Sequence, residues 1–225
     1  MRAFVASAVL ALSLIPSLAR MAAQEAPKPK TQGQFLVASR DLGDPFFRES
    51  VVLMLPIKEE RLLVGVIINK PTKILLRDAF PDSPALEKVE TKAYFGGPVD
   101  VEVGARSAIF RSKTPPKNAT LVFDDVYVSF DAETIAALAA DPKQASTLRV
   151  LLGRAQWAPA QLENEVAKGA WHNAPATADS IFGTFPEVLW RTLIDRAEPK
   201  PVVQSPHFFL PLGNLLMPST WRPAD

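Results

Sequence analysis

The carboxylate best placed for chemistry in this sequence is Glu163, within the segment PAQLENEVAK at 159–168. With Leu162 at the origin and 100° per residue, Val166 falls at about 40°, Ala167 at about 140° and Glu163 at about 100°. Glu165 falls at about 300° on the same wheel, on the polar side with Gln161. The spacing therefore predicts Glu163 on the inward face. An inward carboxylate must find a donor or stay protonated, because burying it unpaired is expensive. It serves either to pin a loop or as a ligand-binding or catalytic group. Trp157 and Trp171 bracket this helix. Their rings read as covers of the core or as a stacking platform for a ligand.

Two more polar residues sit where chains turn. Asp44 precedes Pro45 and two Phe residues, and its side chain can accept bonds from loop N–H groups. Asn69 ends an apolar run just before Lys70-Pro71, where an amide can satisfy backbone groups at a strand end. Gly96-Gly97-Pro98 permits a tight turn or a close backbone approach. It lacks the Lys-Ser/Thr of a phosphate loop and opens no helix. Together Asp44, Asn69, Gly96, Gly97, Trp157, Gln161, Glu163 and Trp171 form the candidate cleft, for a ligand or for structure. No residue among them is assigned a catalytic role.

Composition narrows the alternatives. The chain has 225 residues, 48% of them hydrophobic, with 25 Lys and Arg against 24 Asp and Glu. That balance gives no electrostatic footprint for nucleic acid, and no helix-turn-helix or dinucleotide fingerprint is present. With no Cys, a disulfide framework, a thiolate metal site and a cysteine nucleophile are excluded. The two His residues, His172 and His207, do not make a multi-His metal site. There is no G-x-S-x-G elbow. The residues imply no metal and no cofactor.

The elements that must hold the cleft are mostly strands. Phe35–Ser39, Ser50–Leu55 and Leu62–Ile68 are apolar runs without alternation, as in strands buried on both faces. The charged PIKEER between the second and third reads as a long hairpin loop. Ala93–Phe95, Ser107–Arg111 and Thr147–Leu152 are further strands, and Leu121–Phe123 with Val126–Phe130 reads as a hairpin. Asp131 caps a helix that runs to Ala140. Pro159 opens the Glu163 helix and Gly169 follows its end. Thr184-Phe185-Pro186-Glu187 has the T-x-x-E form of a capping box, opening a helix to Arg196. Strands first and mixed elements afterwards, with no regular βαβ alternation, predict an α+β fold with a mixed sheet.

The ends differ from the body. Residues 1–19, MRAFVASAVLALSLIPSLA, place Arg2 before a short apolar run and a small-x-small site at Ser17-Leu18-Ala19. That is the layout of a signal peptide, too short for a permanent membrane span. Residues 20–32 read as a disordered linker. The implied location is periplasmic or secreted; translation from Met21 would make it cytoplasmic. The tail, Pro199–Asp225, is rich in both Pro and large apolar residues. It reads as a strap on the body or as an arm toward a partner or a second copy.

Taken in order, the motifs resemble the AlgH/YqgE-like proteins, a bacterial family of unsettled activity. The likeness runs from Gly33 to Arg196. It rests on GQFLVAS at 33–39, L-x-DPFFRESVVL at 42–53, GVIINKP at 65–71 and YFGGPV at 94–99. It continues through G-x-A-x-W-A-P-x-QLE-x-E at 153–165, GAW at 169–171, NAPA at 173–176 and P-x-x-x-W at 186–190. The resemblance implies an α+β domain over 33–198, with a mixed, bifurcated and partly barrel-like sheet surrounded by helices. Members are often labelled putative transcriptional regulators. This chain departs from the pattern at polar positions: Pro56-Ile57 stand where a Glu-His pair is usual, and Arg111, Gln156 and Ala160 replace a His and two Gly residues. Packing motifs remain while polar ones are lost. The implied function is therefore a non-enzymatic envelope protein that binds a protein or small-molecule partner. The alternatives are a carboxylate-dependent hydrolase built on Glu163 and Asp44, and a cytoplasmic regulator starting at Met21.

Overall fold

The computed structural model describes residues 32–59 and 61–198. The expectations of a signal peptide, a linker and a strap-like tail fall almost wholly outside those residues. Among these residues, eleven strands form two sheets. The first has the order β10-β3-β2-β1-β11, built from β1 (Gln34–Ala38), β2 (Val51–Glu59), β3 (Leu62–Ile67), β10 (Ala155–Trp157) and β11 (Trp171–Pro175). The second has the order β4-β5-β9-β6-β8-β7, built from β4 (Pro71–Leu75), β5 (Lys92–Phe95), β6 (Arg106–Arg111), β7 (Thr120–Phe123), β8 (Val126–Ser129) and β9 (Leu148–Leu152). Every pair is antiparallel except β5 with β9, which is parallel, so the fold is mixed α+β as expected. Both sheets are open, and among the described residues no barrel closes.

The chain crosses between sheets twice. It leaves the first after β3 and enters the second at β4; it returns from β9 into β10. The sheet is bifurcated in this sense. The second sheet is a continuous stretch, 71–152, inserted between β3 and its partner β10.

Burial on both faces explains the unbroken apolar runs. Phe35, Val37, Leu53, Val64 and Val66 of the first sheet share one core with Ile109, Val122, Val128 and Leu151 of the second. The helix α4 (Pro186–Ala197) adds Leu189, Leu193 and Ile194 to that core. The other face of the second sheet is covered by α1 (Leu76–Ala79) and α2 (Ala132–Ala140) through Leu76 and Ile135. The other face of the first sheet carries Leu36, Val52, Trp157 and Trp171, closed by Leu162 of α3 (Pro159–Ala167).

Two local expectations are corrected, and one unexpected strand is added. PIKEER is not a long loop: β2 continues to Glu59, and the ladder shifts register between Met54 and Lys58. Pro56 lies inside that irregularity, where a residue without an N–H is tolerated. The edge strand β4 begins on Pro71, a position that needs no donor, and was not expected from its polar sequence. Thr184 does not cap α4. Phe185 is the N-cap residue without a side-chain bond, Pro186 opens the helix, and Thr184 Oγ1 donates to the Asp179 carbonyl at 3.3 Å. Asp131 does cap α2, accepting from the Thr134 N–H at 2.8 Å.

Candidate functional site

The site is built around the loop that joins β1 to β2, residues 39–50. Asp44 makes its turn. Its Oδ1 accepts from the Phe46 N–H at 2.8 Å and the Phe47 N–H at 3.0 Å. Asn69, nine-tenths buried at the end of β3, holds the return of the loop. Its Oδ1 accepts from the Val51 N–H at 2.7 Å and its Nδ2 donates to the Glu49 carbonyl at 3.0 Å. Lys70 Nζ donates to the Phe46 carbonyl at 2.7 Å. Glu49 adopts a left-handed backbone with φ 54°, which turns the chain into β2.

Phe47 anchors the loop from the other side. Its ring lies 5.7 Å from Trp157 and 5.6 Å from Trp171, and the two indoles meet edge to face at 5.8 Å. Both indoles are 3% exposed, so their N–H groups need an acceptor. Glu165 supplies it. Its Oε2 accepts from Trp157 Nε1 at 3.0 Å and Trp171 Nε1 at 2.8 Å, and its Oε1 accepts from Gln161 Nε2 at 2.9 Å. Glu163 is exposed. The wheel put the apolar arc on the wrong side, because Ala167 was counted with Leu162 and Val166. Ala167 is exposed, and α3 turns its Leu162–Glu165 flank inward instead. The missed signal was chemical: two nearby indoles require a carboxylate or carbonyl between them.

Gly96 and Gly97 lie at the seam between the sheets rather than in a cleft. The Gly96 N–H donates to the Leu152 carbonyl at 2.7 Å, and the Gly96 carbonyl accepts from the Ile67 N–H at 2.8 Å. A Cβ on Gly96 would strike the Gly153 carbonyl, and one on Gly97 would strike the Arg154 backbone. Gly97 and Gly153 also have positive φ, 147° and 72°. Exposed Glu163 aside, the candidate residues thus separate into three groups. Trp157, Gln161 and Trp171 meet on Glu165; Asp44 and Asn69 shape the 39–50 loop; Gly96 and Gly97 join the sheets. No hydrogen bond or ion pair links Asp44 to Glu163.

One of the open concavities lies beside the loop. It has a volume of ≈ 270 Å³ and is lined by Arg48, Glu49, Asn69, Lys70, Glu187 and Trp190. Trp190 is fixed by donating Nε1 to the Ala38 carbonyl at 2.8 Å. Burial, and then the Arg48 guanidinium, hold the Lys70 ammonium below its ordinary pKa, against smaller opposing effects of Asp44 and Glu49. Arg149, 5% exposed, lies nearby. It donates to the Ile68 carbonyl, donates to the Thr184 carbonyl at 3.3 Å, and stands 5.1 Å over the Tyr94 ring. Desolvation pushes its pKa down, offset in part by Tyr94 and Glu187. Arg48, Lys70 and Glu187 were not singled out from sequence, because each looks like an ordinary surface charge.

His172 does not join this site. On β11 it bonds Glu198 through Nε2 at 2.6 Å, and Arg40 pairs with both Glu198 and Asp195. Among the described residues, no cluster of His, Asp or Glu is placed to hold a metal ion, and no helix is long and apolar enough to cross a membrane.

The fold and its motifs recur in known proteins. A UPF0301 protein from Streptomyces coelicolor is 33% identical over 168 residues, covering 73% of this chain and 85% of the relative. A UPF0301 protein from Myxococcus xanthus is 33% identical over 162 residues, covering 71% and 86%. The solution structure of the AlgH protein from Pseudomonas aeruginosa aligns with a TM-score of 0.59 at 23% identity, over 79% of this chain and 93% of that one. The crystal structure of protein DIP2367 from Corynebacterium diphtheriae aligns with a TM-score of 0.57 at 23% identity, over 77% and 90%. At that identity the two structures show a shared fold. The AlgH-like family model matches residues 35–202, nearly the span of the sequence motifs, and the chain belongs to that family.

Proposed function

We propose that this AlgH-like protein is a non-enzymatic binding module of the cell envelope, and that its ligand sits in the groove beside the 39–50 loop. The observation that carries this reading is how firmly the groove wall is held. Asp44, Phe47, Asn69 and Lys70 each anchor the short loop by a separate contact. A loop fixed this way presents Arg48 and Glu49 to solvent with little ordering left to do on binding. The carboxylates of Asp44 and Glu165 are engaged by backbone and indole donors, which suits support more than turnover.

The envelope location rests on the leader-like sequence of residues 1–19. N-terminal sequencing of the protein from its native cells checks it. A mature start near Arg20 supports export, and a start at Met21 in the cytosolic fraction overturns it. The site is checked by a thermal-shift screen of the full chain against small metabolites. Ligands that stabilise the wild type but not Arg48→Ala support the groove. Ligands that stabilise both equally place binding elsewhere.

A further inference from the structure

We infer that the groove takes a small zwitterion of amino-acid or dipeptide size, its carboxylate toward Arg48 and Lys70 and its ammonium toward Glu49 and Glu187. This inference rests on the reading of the groove as the binding site and names the chemistry of its occupant.

Two cations and two carboxylates line one concavity of ≈ 270 Å³, yet no salt bridge joins any of the four to another. The ion pairs among the described residues lie elsewhere, as in Arg111 with Asp125 and Arg154 with Asp100. Arg48 and Glu49 are neighbours in sequence, and the left-handed backbone at Glu49 turns the chain into β2 just after them. The Lys70 ammonium is tethered to the Phe46 carbonyl and keeps further N–H donors for a ligand. Glu187 stands in the first turn of α4, where the helix end favours a carboxylate.

The lining carries both signs side by side: Lys70 feels Glu49 as well as Arg48. Arg149 lies behind the groove lining, held at the Ile68 carbonyl one residue before Asn69. Its buried guanidinium meets carbonyls and a tyrosine ring, and Glu187 is the carboxylate that acts on it. The two groove carboxylates disfavour a bare polyanion such as phosphate. They suit a ligand that brings its own cation. Trp190, with its indole N–H already engaged, offers ring surface to an aliphatic portion. The volume lies just below the range of drug-sized pockets.

The test is isothermal titration of the full chain with L-alanyl-L-alanine, its N-acetyl form, its C-terminal amide and inorganic phosphate. The expected result is saturable one-site binding of the free dipeptide, weakened by about tenfold or more when either end is capped. Arg48→Ala and Glu187→Gln each produce a similar loss, and both side chains are exposed, so melting curves check that the variants still fold. The capped ligands test the same point on unaltered protein. Equal binding of free and capped dipeptides, or no binding of the dipeptide, overturns the inference. Binding of phosphate alone, lost in Arg48→Ala, overturns the zwitterion while leaving the groove as the site. If no probe binds and the metabolite screen also fails, both readings fall.

Discussion

Glu165 shows how one carboxylate organises a neighbourhood. It accepts from two indoles that lie on different strands, β10 and β11, and so ties both edges of the first sheet to α3. Glu165→Ala would leave two buried N–H groups without an acceptor, at about 1–3 kcal/mol each. The expected loss is about 2–6 kcal/mol in denaturant unfolding. Glu165→Gln keeps an oxygen where both indoles converge and should cost about 1 kcal/mol. Equal losses for the two substitutions would show that packing rather than acceptance matters. At this scale the sequence was a partial guide. Asp44 and Asn69 were correctly tied to turning the chain, because their chemistry acts within a few residues. Glu163 was placed inward because a short helix with two large apolar residues, Leu162 and Val166, leaves its facing angle poorly determined. What decides it is Trp157 and Trp171, which tertiary structure brings together.

Among the elements, the 39–50 loop and α2 make the clearest claims. Phe47→Ala removes the ring that seats the loop against the indoles. Amide exchange should quicken across residues 40–50 while β6, β8 and β9 keep their protection, with a stability loss of about 2 kcal/mol. Faster exchange everywhere would mean that the loop is part of the global unit. For α2, the Thr134 hydroxyl and N–H hold the Asp131 carboxyl below its ordinary pKa of 3.8. A carboxylate depressed in the folded state stabilises above its unfolded pKa, and that contribution is lost as pH falls through the lowered value. Asp131→Ala should therefore melt earlier than wild type at neutral pH, with the gap closing in strong acid. A gap that does not change with pH would remove the charge from the explanation. The strands were legible where apolar runs were long, as in β1, β2 and β3. They were lost where a proline interrupted a run, at Pro56, or opened one, at Pro71. Proline reads as a breaker in sequence, whereas at a bulge or strand start its missing N–H is harmless. The helix at 186 shows the opposite error: the T-x-x-E spacing was present, but Pro186 already marked the first turn and left Thr184 outside it.

For the whole molecule, the glycine seam decides integrity. Gly96→Ala would drive a methyl into the Gly153 carbonyl where strands of both sheets converge. The expected cost is about 3 kcal/mol or more, read as a lower denaturant midpoint with both sheets affected together. A loss confined to one sheet would separate them. The sequence suggested only that Gly96-Gly97 allowed a close approach; the partner of that approach, Gly153, lies in another motif and could not be matched without the fold. The inserted position of residues 71–152 has a consequence for how the chain comes to be folded. β3 cannot meet β10, nor β1 meet β11, until the chain beyond residue 155 is available. A ribosome-bound N-terminal half would hold β1 to β3 with their apolar faces uncovered, and such long-range pairings form slowly. Completion of the first sheet therefore waits until the whole of the second has been synthesised.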